Sequence, residues 1–368
     1  MTDSSPDTSA PLTWSLCIAT YNRIDVLEKS ISLALEQTRP PQEIVVADAS
    51  PDWKANRERV AKQFSDAGPA LVYLKPERPS LTHQRNLAIG AACGDILALF
   101  DDDTMMFPDC AQQIMSVYER DGEKVIAAVG AANQREMPEG VEVSAARKIS
   151  GKAGSAKAGQ NLGQRVRASS FGRWAWREVF LMSAAHQIVP YDGRPITRPM
   201  TDLSHLPDDL RPVPVLQGFS ITVRRDVALK EPFEEALLAY CPAEDLDATY
   251  RFGRHGLLVI APEGRIHHFE AAAGRIKRKR ATALGLLNVA YFTRRHSDDL
   301  PRHRRAFYTL LSRRILAEFL KDTLSRRWAY PQFLGTLLAI RHAPQVFRVP
   351  DDRLRTWYMA LQERILAS

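Results

Sequence analysis

A short apolar run that ends in three consecutive aspartates constrains this sequence more than any other feature. Residues 96–100 (ILALF) are followed directly by Asp101, Asp102 and Asp103. Such a run predicts a buried strand of a parallel sheet, and open α/β sheets bind their ligands at the carboxyl ends of strands. Because adjacent carboxylates repel one another, the pattern favours a bound cation, with Mg²⁺ or Mn²⁺ as the oxygen-preferring candidates. A solvated acidic turn that caps a helix is the structural alternative.

Strand and helix patterns alternate through the first third of the chain. We predict strands at 14–19, 43–47, 70–74, 95–100 and 125–130, and helices at 24–37, 54–64, 81–92 and 108–120. This alternation is typical of right-handed βαβ units, so the fold class is α/β with a Rossmann-like, mostly parallel sheet flanked by helices. The turn after the first strand reads ATYNR and lacks both the GxGxxG and the P-loop patterns. A nicotinamide-dependent dehydrogenase and a P-loop ATPase are therefore disfavoured.

The composition indicates the cellular compartment and the kinds of binding partner to expect. The 368 residues carry a formal net charge of +7, which suggests anionic partners such as nucleic acid, anionic lipid or phosphorylated substrates. The four cysteines form no CxxC pair, which fits a reducing compartment and argues against structural zinc. The first 13 residues lack the apolar segment of a secretory signal, and no apolar run reaches the ~18 residues of a spanning helix. We expect a cytoplasmic protein, with membrane-surface contact left open.

Two basic regions follow the regular part. Residues 147–177 hold eight Lys or Arg and no acid, and they end in the aromatic residues Phe171, Trp174 and Trp176. This stretch is either a mobile basic loop or a flap that grips an anionic acceptor or membrane. From residue 273 onward, basic residues surround apolar helical faces at 305–328 and 333–340. These helices either lie on a bilayer surface or pack against the sheet domain.

Candidate chemistry also appears on the carboxyl side of these patterns. Glu244 and Asp245 start a predicted helix over 244–253, where paired acids could serve as helix caps or as catalytic groups. His267 and His268 follow the last predicted strand, and either imidazole could complete an acidic metal site. Asp48 closes the second predicted strand and either accepts hydrogen bonds from a base or ribose or forms an Asx-turn before Pro51.

Taken in order, these pieces resemble the family 2 nucleotide-sugar glycosyltransferases of the GT-A fold, over about residues 14–280. The matching segments are ATYNR, EIVVADAS, Arg85-Asn86 ahead of FDDD, the Gly218 to Arg224 segment with Glu244-Asp245 after it, and the histidine pair. Ala243 stands where the family often has Gly, and Phe219-Ser220 stand where it often has a second Gly or an Asn.

The resemblance implies a role for each of these positions. Asp101 and Asp103 would hold Mg²⁺ or Mn²⁺, with His267, or else His268, as the late histidine at the metal. Asp245 would be the general base, and Glu244 beside it would raise its pKa by repulsion. The remaining positions would contact the donor's base, ribose or phosphate: Thr20, Tyr21, Asp48, Arg85 and Asp102.

The resemblance also implies an organisation and a reaction. Residues 1–13 would form a flexible tail, 14–272 the GT-A domain, with a nucleotide-binding half (14–130) and an acceptor half (131–272), and 273–368 an α-helical extension. The protein would be an inverting transferase that uses a UDP-, dTDP- or GDP-sugar. Because the basic loop and the carboxyl-terminal helices suit anionic lipid and pyrophosphate, we expect the acceptor to be a glycan or lipid-linked molecule of bacterial surface polysaccharide synthesis, at the inner face of the cell membrane.

Two other functions compete with this one. A nucleotidyltransferase would need a Gly-rich phosphate loop after the first strand, and ATYNR lacks the glycines. A non-catalytic basic protein that binds nucleic acid or membrane would use the net charge, but the acidic clusters would repel phosphate backbones. We therefore expect no nucleic-acid partner.

Overall fold

The computed structural model describes residues 11–142, 169–197, 209–239, 242–271 and 276–367. Much of the predicted tail (1–13), most of the basic loop (147–177) and the predicted boundary at 272/273 lie outside these ranges. The predicted division into a tail, a two-part domain and an extension therefore stays a prediction.

The first third of the chain alternates strands and helices as predicted. Its elements are β1 (Trp14–Thr20), α1 (Ile24–Leu35), β2 (Glu43–Asp48), α2 (Trp53–Gln63), β3 (Ala70–Leu74), α3 (Leu81–Ala91) and β4 (Ile96–Leu99). The strands pair in the order β3-β2-β1-β4, all parallel. Strands β2 and β4 are buried along their whole length, which explains why they read as unbroken apolar runs.

The sheet continues with a different pairing pattern. The further strands are β5 (Thr104–Met106), β6 (Ile126–Asn133), β7 (Arg211–Pro212), β8 (Ile221–Arg224) and β9 (Leu257–His268). Strand β8 runs antiparallel to both β4 and β6, and the sheet then continues through β9 to β5. The sheet is thus parallel over β3-β2-β1-β4 and mixed beyond it, where β6 and β9 pair in parallel.

The helices that accompany these further strands are shorter on average than those of the parallel part. They are α4 (Cys110–Arg120), α5 (Ser170–Trp174) with a π-helical turn (Ala175–Val179), α6 (Ala185–Ile188), a 3₁₀ turn (Gly218–Ser220), α7 (Arg225–Lys230) and α8 (Glu244–Phe252). Helix α8 carries the predicted catalytic pair at its first turn. Its inward face is apolar and packs on the sheet through Ala248 and Phe252.

Four helices form the carboxyl-terminal region: α9 (Arg278–His296), α10 (Leu300–Leu324), α11 (Pro331–Val346) and α12 (Asp351–Ala367). They share a buried cluster with α8, in which the ring of Tyr250 meets that of Phe292 edge-on with their centroids 5.0 Å apart. Among the described residues, no helix combines the length and apolar character that a membrane span requires. Through the shared cluster these helices pack against α8 of the sheet domain, as one of the two sequence interpretations proposed.

Candidate active site

The three aspartates lie at the carboxyl ends of β1 and β4, in the turn that leads into β5. Asp101 pairs with Ala19 of β1, which brings the turn next to the ATYNR segment. Asp102 is buried and accepts hydrogen bonds from the Thr20 hydroxyl (2.7 Å) and the Arg23 guanidinium (2.8 Å). Burial, reinforced by repulsion from Asp103, raises the pKa of Asp102 to about 7, although Arg23 and Thr20 act in the opposite direction.

A candidate metal-binding group lies in the same turn. One ligand atom each from Asp101, Asp103 and His268 lies within 4.8 Å of the others. Asp103 Oδ2 accepts a hydrogen bond from the Ala271 amide (2.8 Å), and its Oδ1 lies 3.2 Å from Nε2 of His268. Burial alone would raise the pKa of Asp103, but the His268 contact and Arg23 outweigh it and lower that pKa. Two carboxylates and one imidazole are donors that suit a divalent cation.

The choice of His267 as the metal ligand is corrected by the strand register. Strand β5 pairs with β9 so that Thr104 lies opposite His268 and Met105 lies opposite His267. Neighbouring side chains on a strand point to opposite faces, so only one of the two imidazoles can face the aspartates. His268 is that residue, and it also stacks on the Phe219 ring at 4.2 Å between centroids. Nδ1 of His267 instead lies 3.0 Å from the carbonyl oxygen of Gln134.

Arg85 connects the acidic turn to the predicted base. It lies on α3, is 3% exposed, and donates to Asp101 Oδ1 (2.8 Å), Glu244 Oε1 (3.2 Å) and the Gly218 carbonyl (2.9 Å). A Cβ on Gly218 would lie only 2.8 Å from Glu244 Oε1, so a side chain at this position would have to displace that carboxyl group. The guanidinium thus holds two acidic segments together, and its predicted contact with the donor stays a prediction.

The predicted base sits at the first turn of α8. Asp245 is half-buried and accepts hydrogen bonds from the Gly218 amide (3.0 Å) and the Leu246 amide (2.8 Å). Burial raises its pKa, with the charge of Asp101 acting in the same direction. Burial and the charge of Asp245 raise the pKa of the neighbouring Glu244 to about 8. The pKa values of both acids are therefore raised, with burial as the main cause.

Asp48 is occupied by its own surroundings. Its side chain is fully buried and accepts hydrogen bonds from the Ser50 amide (2.7 Å), the Asn56 side chain (2.9 Å) and the Tyr73 hydroxyl (2.7 Å). The amide contact two residues ahead is the Asx-turn that the sequence left open as an alternative. The predicted contact of Asp48 with a base or ribose is therefore not supported in this conformation.

A cleft of about 240 Å³ opens beside the acidic turn. Four of the predicted residues line it: Thr20, Tyr21, Asp101 and Asp102. Arg23 and Gln84 also line it, and neither was predicted. Gln84 donates to the carbonyl oxygens of Thr20 and Ala47, which fixes the ends of β1 and β2. The signal for Arg23 was present, because it closes the TYNR segment that carried the resemblance.

Comparison with known proteins tests the resemblance directly. The model of glycosyl transferase family 2 matches residues 15–179. The predicted resemblance to family 2, and to the enzyme class of glycosyltransferases, is thereby confirmed for this segment, which is just under half of the chain. A curated relative, the glucosyl-dolichyl phosphate glucuronosyltransferase of Haloferax volcanii, is 27% identical over 119 residues, which are 32% of this chain and 36% of that relative.

Solved structures bear on the fold. The mannosyltransferase PcManGT from Pyrobaculum calidifontis, solved with GDP-Man and Mn²⁺, matches with a TM-score of 0.50 at 14% identity. The match covers 99% of this chain and 88% of that one. S. aureus TarS 1-349 matches with a TM-score of 0.45 at 12% identity, over 96% and 90% of the two chains. The mannosyltransferase match, together with the α/β sheet and the helical extension, confirms the predicted GT-A fold class.

Proposed function

We propose that this protein is an inverting, metal-dependent glycosyltransferase that moves a sugar from a nucleoside-diphosphate sugar to an acceptor hydroxyl group. The observation that carries the proposal is the Arg85 guanidinium, which contacts Asp101 in the acidic turn and Glu244 at the start of α8. Carboxyl groups that are far apart in the sequence therefore meet at one guanidinium. The match to the family 2 model supports the reaction class.

Asp101, Asp103 and His268 are the proposed ligands of Mg²⁺ or Mn²⁺. Their donor atoms lie close enough to share one ion, and carboxylate and imidazole donors fit such a cation. When bound, the ion would neutralise negative charge on the diphosphate leaving group. The Mn²⁺ in the mannosyltransferase complex supports this assignment.

The donor is proposed to occupy the cleft beside the turn. Thr20 and Tyr21 line it and could contact the base or ribose, while Arg23 adds a positive charge that would attract the diphosphate. Asp102 is bonded to both Thr20 and Arg23, so we propose that it orients these side chains. A UDP-, dTDP- or GDP-sugar would fit this scheme, and the GDP-Man of the mannosyltransferase complex supports a nucleotide-sugar donor.

Asp245 is the proposed general base. Its carboxylate would take the proton of the acceptor hydroxyl as that oxygen attacks the anomeric carbon, and one such displacement inverts the configuration. A pKa raised by burial makes the carboxylate a stronger base. The Gly218 and Leu246 amides hold its oxygens in place for this role.

The acceptor is proposed to be a glycan or a lipid-linked molecule of bacterial surface polysaccharide synthesis, used at the inner face of the cell membrane. The name of the curated relative includes a dolichyl phosphate, which supports a lipid-linked acceptor. The basic composition is compatible with an anionic lipid phosphate.

A donor panel tests the proposal. The protein is incubated with UDP-, GDP- and dTDP-sugars, with and without Mn²⁺, and the released nucleoside diphosphate is measured. We expect metal-dependent release from one donor class. Release of pyrophosphate from a nucleoside triphosphate and a sugar phosphate would instead identify a nucleotidyltransferase, and failure of every donor to bind would overturn the proposal.

A further inference from the structure

Large apolar side chains are exposed on one helical hairpin of the carboxyl-terminal region. Trp328, in the turn between α10 and α11, is 67% exposed, and Leu316 on α10 is 54% exposed. We use the name apolar face for the exposed side chains of this hairpin: Leu316, Phe319, Leu324, Trp328, Leu334 and Leu337. So many large apolar groups on one element indicate an interaction surface, since single exposed residues are the norm.

Helical spacing and ring contacts join these side chains into one surface. Leu316 and Phe319 are three residues apart on α10, and Leu334 and Leu337 are three apart on α11, so each pair shares a face. The Phe319 ring stacks on Tyr330 at 5.3 Å between centroids and meets Phe333 on α11 at 5.6 Å. Because the two helices meet through these rings, the apolar face spans both.

The charge around the apolar face is almost wholly positive. Residues 300–346 contain nine Lys or Arg and two acids, Glu318 and Asp322. Both acids are buried: Glu318 lies 3.2 Å from Lys321, and Asp322 accepts hydrogen bonds from the first amides of α11. Arg313, Arg326 and Arg341 are exposed along the same hairpin, so solvent meets positive charge next to leucine and tryptophan side chains.

Two neighbouring elements extend this character. A Cβ on Gly335 would collide with the carbonyl oxygen of Lys279, so the basic start of α9 lies against α11. Burial and the charge of Arg327 lower the pKa of Arg278, which is consistent with crowding of positive charges there. On the other side, Arg313 donates to the Val179 carbonyl (2.9 Å), which joins α10 to the segment that carries the exposed Phe171 and Trp174.

We propose that the apolar face docks on an anionic lipid bilayer, with its leucine and tryptophan side chains in the interface and its basic residues on the headgroups. Charge complementarity selects this partner, because a second copy of the same face would bring like charges together. Four of the six side chains of the apolar face are leucines, which cannot stack on bases, so the face favours lipid over a nucleic acid. The proposal concerns a surface separate from the catalytic cleft and holds whichever donor the cleft accepts.

Vesicle flotation tests the proposal directly. The full chain, without donor, is mixed with neutral phosphatidylcholine vesicles or with vesicles that also contain anionic phosphatidylglycerol. We expect binding to the anionic vesicles that weakens with added salt. The double variant Leu316→Ser with Trp328→Ser is expected to lose at least about ten-fold in vesicle affinity, because two large apolar side chains no longer enter the interface.

Matched variants separate the surface from general effects. Leu229→Ser removes a leucine that is 45% exposed on α7, outside the apolar face, and should leave vesicle binding unchanged. Arg326→Gln and Arg341→Gln should each cost roughly five-fold in affinity for anionic vesicles, whereas Lys62→Gln on α2 should not. Donor hydrolysis by these variants should stay at the wild-type level, so a failure of the surface can be told from a failure of the proposed reaction.

Three results would overturn the proposal. The first is absence of wild-type binding to anionic vesicles. The second is equal loss of binding in Leu229→Ser and in the double variant. The third is a wild-type dimer, seen by light scattering, that the double variant converts to monomer, because the occupant would then be a second copy of the chain.

Discussion

The two acidic segments that Arg85 joins are alike in sequence but differ in electrostatics. In the turn after β4, Asp103 has a lowered pKa because His268 and Arg23 overcome the effect of burial. At the start of α8, burial raises the pKa of Asp245, although hydrogen bonds from the Gly218 and Leu246 amides act in the opposite direction. One carboxylate is thus kept charged, and the other is kept ready to take a proton.

This difference suits the two roles proposed for the segments, which are to hold a cation and to take a proton. A group that holds a cation must stay ionised, and nearby positive charge ensures this. A general base works best when its pKa is moved toward the working pH, and burial does this. Arg85 lies between the two segments, so the structure holds them close without giving them the same environment.

Replacing Asp245 by asparagine should give the largest effect on catalysis. The amide cannot accept the acceptor proton, so kcat/KM for transfer should fall roughly 10²–10⁴-fold while donor affinity stays unchanged. Glu244→Gln is the matched control. With a pKa of about 8, Glu244 is mostly neutral at pH 7, so glutamine should imitate it closely. Normal transfer by Asp245→Asn in a steady-state assay would remove Asp245 as the base.

Replacing Arg85 by methionine should break the link between the two segments. Asp101 would then lose its cation and Glu244 its hydrogen-bond donor, at a cost of about 3–5 kcal/mol in the free energy of unfolding, measured with urea. Arg59→Met provides the contrast, because Arg59 is half exposed in its pairs with Asp25 and Glu28 and should cost at most about 1 kcal/mol. Equal losses in the two variants would show that Arg85 has no special role.

The two histidines provide a sharper comparison within the acidic turn. His268→Gln should weaken Mn²⁺ binding by roughly 10-fold or more, since loss of even an outer partner of a metal site has such an effect. His267→Gln should change it little, because that imidazole faces Gln134. Isothermal titration of both variants with MnCl₂ measures the difference, and a reversed order would restore the original choice of His267.

A smaller effect, on the pH dependence of stability, is expected from His296. This histidine contacts Asp247, two residues after the proposed base on α8. The pKa of Asp247 is lowered, and its carboxylate accepts a hydrogen bond from Nε2 of His296 (2.8 Å), whose Nδ1 faces Arg254 at 3.1 Å. Burial lowers the pKa of His296, so the folded state prefers the neutral ring. That contribution to stability is complete above about pH 6.5 and is lost as the pH falls below it.

Thermal unfolding of the wild type and of His296→Gln, between about pH 8 and about pH 5, measures this contribution. The wild-type Tm should decline in acid more steeply than that of the variant, which has no ring to protonate. Parallel curves would show that His296 does not contribute to the pH dependence.

Much of the parallel half could be predicted because its strands are buried on both faces. The apolar runs that become β2 and β4 indicate buried strands. The polar residues that follow them had to lie at one edge of the sheet. The approach of Glu244 to Asp101 was also expected, from the order of the motifs.

The orientation of single side chains could not be predicted in the same way. Strand β9 continues through Pro262–Gly264 with a shift in register. In the sequence, the proline and the glycine of this stretch indicate the end of a strand. Which histidine faces the acids depends on that register. Asp48 and Arg85 were assigned to the donor because of their motifs, yet partners supplied by other elements occupy their polar atoms.

The most direct test is to locate Mn²⁺ by anomalous diffraction in crystals grown with Mn²⁺ and a nucleoside diphosphate. We predict one strong peak among Asp101, Asp103 and His268, with the diphosphate in the adjoining cleft beside Arg23. A peak at another site, or a nucleotide bound away from the acidic turn, would contradict the view that these carboxylates form the donor site.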